Sequence, residues 1–164
     1  MFAAIFAARN GQEVHLYEQN EKLGKKLFIT GKGRCNLTNA ADMEVLFQSV
    51  VSNAKFLYSS FYGYTNEDTI RFFEEIGLKT KIERGDRVFP VSDHSSDVIQ
   101  VLQKEMKMQG VQIHLNTKVK EILIKEGRFE AIRLEKGEKI YGDACIITTG
   151  GFSYQTTGSR GDGY

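Results

Sequence analysis

The apolar positions change period several times along the chain, and each change marks an element. Residues 2–10 (FAAIFAARN) are alanine-rich, carry no polar cap in front, and run into Gly11. That composition predicts the later part of a helix stopped by a glycine. Gln12 to Glu18 then alternates around Val14 and Leu16, a short strand ending in an acid. Helix, glycine and strand form the second half of a βαβ unit. Gly24 to Asn39 reads as a long basic loop, and residues 42–76 carry aromatic and charged positions at helical spacing up to Gly77. The aromatics Phe47, Phe56, Tyr58, Phe61, Tyr62, Phe72 and Phe73 are expected to fill core or interface.

From Leu78 the pattern becomes a strand, the turn Arg84-Gly85-Asp86, and Arg87-Val88-Phe89-Pro90. Ser95 and Ser96 open a helix with Val98, Leu102 and Met106 on one face, and Gly110 ends it. Val111, Ile113 and Leu115 alternate as a strand. Residues 119–125, 129–135 and 138–141 predict a β-meander punctuated by Gly127 and Gly137. Ala144 to Thr149 is apolar on both faces, which predicts a buried parallel strand, followed by Gly150-Gly151. With no repeat or low-complexity linker, the reading is one α/β domain with a helical segment at about 42–76 and a meander at about 117–142.

Composition adds exclusions. The 164 residues are 41% hydrophobic and 26% charged, a globular balance. A net charge of +1 provides no field for a polyanion or an anionic membrane, so neither nucleic acid nor membrane is expected as a partner. The apolar stretch Met1 to Ala8 is too short to span a bilayer. Cys35 and Cys145 stand far apart without CxxC spacing, excluding a disulfide scaffold and a thiolate zinc site and fitting a reducing, cytoplasmic compartment. Sixteen glycines against one proline direct attention to where the glycines sit.

Glu18, at the end of a strand, has the position from which an acid accepts hydrogen bonds from ribose hydroxyls, although a solvated strand end has the same appearance. In the loop GKKLFITGKGRCNLTN, Gly31 and Gly33 would let backbone amides approach an anion. Lys25, Lys26, Lys32 and Arg34 could offset its charge, and Asn36 could reach a ring edge. A solvated basic loop is the alternative. The loop lacks the GK[ST] ending of a Walker motif. Cys35 has no histidine near it in sequence and reads as a small residue packed against a ligand rather than a nucleophile. His15, His94 and His114 show no metal-ligand spacing. Thr148-Thr149-Gly150-Gly151 matches the carboxyl-end position where open α/β sheets bind ligands. In the tail TGSRGDGY, Asp162 lies between two glycines, where it would serve either a sugar hydroxyl or a tight turn.

Taken in order, Glu18, GKKLFITGKGRCNLTN, RVFPVSDHSSDV at 87–98, TTGG at 148–151 and TGSRGDGY at 157–164 resemble the HI0933-like flavoproteins, also described as BaiN-like or aminoacetone oxidase family proteins. The resemblance implies a Rossmann-like FAD-binding domain of the two-dinucleotide-binding-domain type and a FAD-dependent oxidoreductase of unknown substrate, with NAD(P)H a possible partner. It implies that Glu18 binds the adenosine ribose. Lys25, Lys26, Gly31, Gly33, Arg34, Cys35 and Asn36 would line the phosphates and flavin, and Val119 would meet the adenine through its backbone. Thr149 and Gly150 would lie near the nucleotide half of the cofactor, and Asp162 near the flavin-side segment. In that family a strand and a GGGxxG turn come before the first helix and more chain follows GDGY, so the chain is expected to be incomplete at both ends. A partner-dependent binding module without catalysis is the alternative; single-stranded RNA binding through Lys32, Arg34 and the aromatics ranks last, for want of an RNP motif and of positive charge.

Overall fold

A computed structural model describes residues 1–153 and 161–163. The elements in chain order begin with α1 (Phe2–Arg9), β1 (His15–Tyr17), α2 (Lys25–Ile29) and, after a 3-10 turn, β2 (Thr38–Asn39). Then come α3 (Met43–Gln48), α4 (Tyr58–Gly63), α5 (Asn66–Glu75), β3 (Thr80–Glu83), β4 (Arg87–Pro90) and α6 (Ser95–Met108). Strands β5 (Gln112–His114), β6 (Val119–Lys125), β7 (Arg128–Leu134) and β8 (Lys139–Tyr141) complete the set. The chain divides into two compact units, Met1–Lys26 with Gln103–Tyr164, and Leu27–Leu102. None of the helices among the described residues is long and apolar enough to cross a membrane.

In the first unit, β1 lies parallel to β5, with Leu16 opposite Ile113 and Tyr17 opposite His114. The ladder continues past the strand, because Glu18 N–H donates to the His114 carbonyl at 2.9 Å and Thr117 N–H to the Glu18 carbonyl at 2.9 Å. Ile5 of α1 and Met106 of α6 are fully buried. Arg9 donates through Nε and Nη2 to Glu105 Oε1, at 3.1 and 2.7 Å. The meander forms as its alternation dictates: β6, β7 and β8 pair antiparallel in that order, with Ala131, Ile132 and Leu134 of β7 buried.

Ala144–Thr149 departs from expectation. It forms no strand, and Ile146 and Ile147 stand 65% and 54% exposed. A two-faced apolar strand needs neighbours that accept its backbone bonds and cover both faces; no strand pairs with this run among the described residues.

In the second unit, β4 lies between β2 and β3, antiparallel to both. Val88, Phe89, Phe72, Phe73, Val98 and Leu102 are buried. The first half of the expected loop at 24–39 is helical instead, since Lys-Lys-Leu-Phe-Ile contains no breaker between Gly24 and Gly31. The helical segment is broken twice. Asn53 takes a left-handed φ of 54°, and Thr65 starts α5 in a reciprocal capping box with Asp68.

Candidate functional site

Two groups of the expected residues come together, one in each unit. In the first, the end of β1 is held by its own side chains: Glu18 Oε1 accepts from Asn20 N–H at 2.9 Å and from Asn20 Nδ2 at 2.7 Å. Lys25 Nζ reaches Asn20 Oδ1 at 3.5 Å, and Lys26 Nζ donates to the Ser153 carbonyl at 2.7 Å. Gln19 Nε2 lies 3.4 Å from Asp162 Oδ2, so the GDG turn meets the strand end. Residues 147–150 and Gly163 line an open cleft of about 430 Å³. A Cβ on Gly163 would fall 2.5 Å from Thr149 Oγ1 and 3.2 Å from Ile147 Cγ2, so only glycine allows this closeness. Val119 begins β6 opposite Leu134, and the register shifts between Val119 and Glu121. The rest of the TGSRGDGY motif, residues 157–160 and 164, lies outside the described residues.

In the second unit the run from Gly31 to Cys35 is unusual in its backbone. Gly31, Lys32, Gly33 and Cys35 have φ of 55°, 57°, 86° and 59°, and Arg34 alone is right-handed. Gly31 also has too little room for a side chain, since a Cβ would sit 3.1 Å from the Asn36 nitrogen. With its amide nitrogen turned toward the strands, Asn36 donates to the Val88 and Thr38 carbonyls at 3.1 and 2.9 Å. Cys35 is 4% exposed, and burial pushes its thiol up, against a nucleophilic role.

Arg34 was expected at a phosphate. Its guanidinium is held by two carboxylates: Nε and Nη2 donate to Asp93 Oδ1 at 2.9 and 2.5 Å, and Nη2 to Glu83 Oε1 at 2.5 Å. The two carboxylates raise the Arg34 pKa, Arg34 lowers that of Glu83, and hydrogen bonds from Lys81 and then Arg34 lower that of Asp93. Sequence reasoning assigned no role to Glu83 or Asp93, although Asp93 stands inside the RVFPVSD run. His15 Nδ1 and His114 Nε2, 3.0 Å apart, pair across β1 and β5. Among the described residues no group of three or more His, Cys, Asp or Glu is placed to hold a metal ion.

The family model described as HI0933-like protein Rossmann domain matches residues 1–164. The chain belongs to the HI0933-like family. This HI0933-like chain is 34% identical over 164 residues to the 3-dehydro-bile acid delta(4,6)-reductase of Clostridium scindens, covering 99% of the chain and 39% of that protein. It is 25% identical to the ribosomal RNA dihydrouridine synthase of Haemophilus influenzae, covering 100% of the chain and 41% of that protein. The HI0933-like chain thus spans about two fifths of the length of these relatives. Among solved structures, THI4 of Thermovibrio ammonificans superposes with a TM-score of 0.54 at 9% identity, over 81% of this chain and 42% of that one. The fold is Rossmann-like α/β.

Proposed function

We propose that this chain forms the cofactor-holding part of a FAD-dependent oxidoreductase that saturates a carbon–carbon double bond conjugated to a carbonyl. The observation that carries the cofactor is the cleft at residues 147–150, whose Gly163 wall leaves no space for a side chain beside Thr149. The neighbouring acid at the end of β1, Glu18, adds the group suited to ribose hydroxyls. Under this reading the backbone at Thr149, Gly150 and Gly163 approaches the nucleotide closely, Lys25 and Lys26 offset phosphate charge, and the turn at Asp162 borders the flavin side. Val119 faces the adenine with its backbone, while Gly31, Gly33, Cys35 and Asn36 shape the loop that meets the flavin.

The substrate class comes from the relatives. A delta(4,6)-reductase acting on a 3-dehydro-bile acid and a dihydrouridine synthase are both named for a carbon–carbon double bond, in each case one conjugated to a carbonyl group. When bound, the flavin would supply a hydride to one carbon of such a bond and a proton would complete the other, with NAD(P)H as the proposed reductant. The higher identity to the bile-acid enzyme favours a small molecule over ribosomal RNA. Two free cysteines, Cys35 and Cys145, suit a reducing cytoplasm.

The test is purification of the protein as its own gene expresses it, a visible spectrum, and FAD titration. This is followed by anaerobic reduction with NADH or NADPH and reoxidation by a conjugated dienone steroid, uridine-containing RNA or free uridine. Flavin absorbance and reoxidation by the steroid are expected. A colourless protein that binds no FAD overturns the cofactor reading, and reoxidation by RNA alone overturns the choice of substrate.

A further inference from the structure

The run at residues 31–35 is held in a backbone conformation that needs an anchor. Four of its five residues take positive φ, and two of those, Lys32 and Cys35, carry side chains. Such residues persist only where their surroundings over-determine them. The right-handed exception, Arg34, supplies the side chain that ties the run down. Its fork meets Asp93 and Glu83, and its Cζ lies 4.2 Å above the centre of the buried Phe89 ring. Lys81 Nζ closes the cluster, 2.7 Å from Asp93 Oδ2 and 3.4 Å from Glu83 Oε1. Asp93 is itself fixed, with φ of 58° and its N–H on the Pro90 carbonyl at 3.0 Å.

Charge decides what this cluster can do. Two cations face two carboxylates, so the group is neutral as it stands. A phosphate arriving at Arg34 would have to displace a carboxylate that already makes a charge-assisted bond. The backbone donors beside it are also engaged: Arg34 N–H reaches the Gly31 carbonyl at 3.2 Å and Cys35 N–H the Thr30 carbonyl at 3.1 Å.

We propose that Arg34 anchors the loop rather than binding the cofactor's phosphate, and that Asp93, with Glu83 and Lys81, positions its guanidinium. The cofactor half of the proposal rests on the flavin reading above; the anchoring half does not. Asp93→Asn separates the two roles by the sign of its effect. It loosens Arg34 if Arg34 is an anchor, and releases a cation toward phosphate if Arg34 is a ligand. Arg34→Lys keeps the charge but loses the fork and the stacking on Phe89.

The experiment uses the purified full protein and three variants, Asp93→Asn, Arg34→Lys and Lys81→Met, each checked by far-UV circular dichroism. Alkylation of Cys35 is followed by peptide mass, with exposed Cys145 as the internal reference. FAD affinity and the visible circular dichroism of bound flavin are measured in parallel. For Asp93→Asn and Arg34→Lys, Cys35 is expected to react faster while Cys145 is unchanged. FAD binding is expected to weaken about tenfold, the scale of a lost charge-assisted bond, and the flavin dichroism to change; Lys81→Met, which leaves the Arg34–Asp93 pair intact, shows the same changes to a smaller degree. Tighter FAD binding in Asp93→Asn overturns the proposal, and so does Cys35 alkylation at the wild-type rate in Asp93→Asn and Arg34→Lys. If the wild type binds no FAD, the flavin reading falls with the cofactor half, and the Cys35 rates alone decide the anchoring half.

Discussion

Gly163 and Thr149 are packed so closely that a Cβ at 163 would begin 2.5 Å from the threonine hydroxyl oxygen. Two stretches of sequence, TTGG and GDG, are therefore locked into one wall of the cleft. Gly163→Ala should force them apart, at the roughly 1–3 kcal/mol typical of overpacking. In FAD titrations this should appear as a loss of affinity of about tenfold. Adding Thr149→Ala removes the oxygen that is struck, and the double variant should recover part of the loss. A single variant that binds FAD like the wild type would remove this contact from the site.

Gly33 is a glycine for a different reason. Nothing lies within 4 Å of the position its Cβ would take, but its φ is +86°. Gly33→Ala should cost about 1–2 kcal/mol from backbone strain alone. Gly31→Ala should cost more, because strain is joined by the 3.1 Å approach to the Asn36 nitrogen. Urea unfolding midpoints at constant m-value provide the comparison.

Glu105 is 7% exposed and accepts from Arg9 and from Gln109 Nε2. Its removal leaves donors near the buried Met106 without that carboxylate. Since the Arg9 side chain is 32% exposed and can turn to water, Glu105→Ala should destabilise by about 1–2 kcal/mol and not by the larger amounts of fully buried pairs. Glu105→Gln, which keeps an acceptor, should lose less. Thermal melts of the two variants test the order.

The Arg34 cluster predicts a pH dependence of stability. Hydrogen bonds from Lys81 and Arg34 hold the Asp93 carboxyl below its ordinary range, and Arg34 does the same for Glu83. Lowered folded-state values mean a contribution fully present above the unfolded carboxylate range and lost as pH falls through the folded values. Melting temperature should therefore drop on acidification below about pH 4. Asp93→Asn should flatten that drop; an unchanged acid limb would show that the pair contributes nothing to it.

Thr65 caps α5 by accepting from Asp68 N–H at 3.1 Å, while Asp68 Oδ2 accepts from Thr65 N–H at 2.9 Å. Thr65→Ala should cost about 1 kcal/mol, measured by denaturant unfolding. A change within error would mean that the cap is replaced by water.

Elements with a clear apolar period and a glycine at their end were legible from the sequence. The meander follows from alternation and its two glycines, and α1, α6 and β5 follow from period and from Gly11 and Gly110. The motifs TTGG and GDG lie apart in sequence, and the fold brings Gly163 against Thr149 and Asp162 to Gln19 at the end of β1. Tertiary structure decided the rest. Ala144–Thr149 has the composition of a buried strand yet forms none, because a strand exists only where a neighbour accepts its bonds. Arg34 has the composition of a phosphate ligand, but Glu83 and Asp93, 49 and 59 residues further along, occupy its fork. Local sequence determines period, turn and charge; which charge is already neutralised depends on side chains that only the folded chain brings within hydrogen-bonding distance.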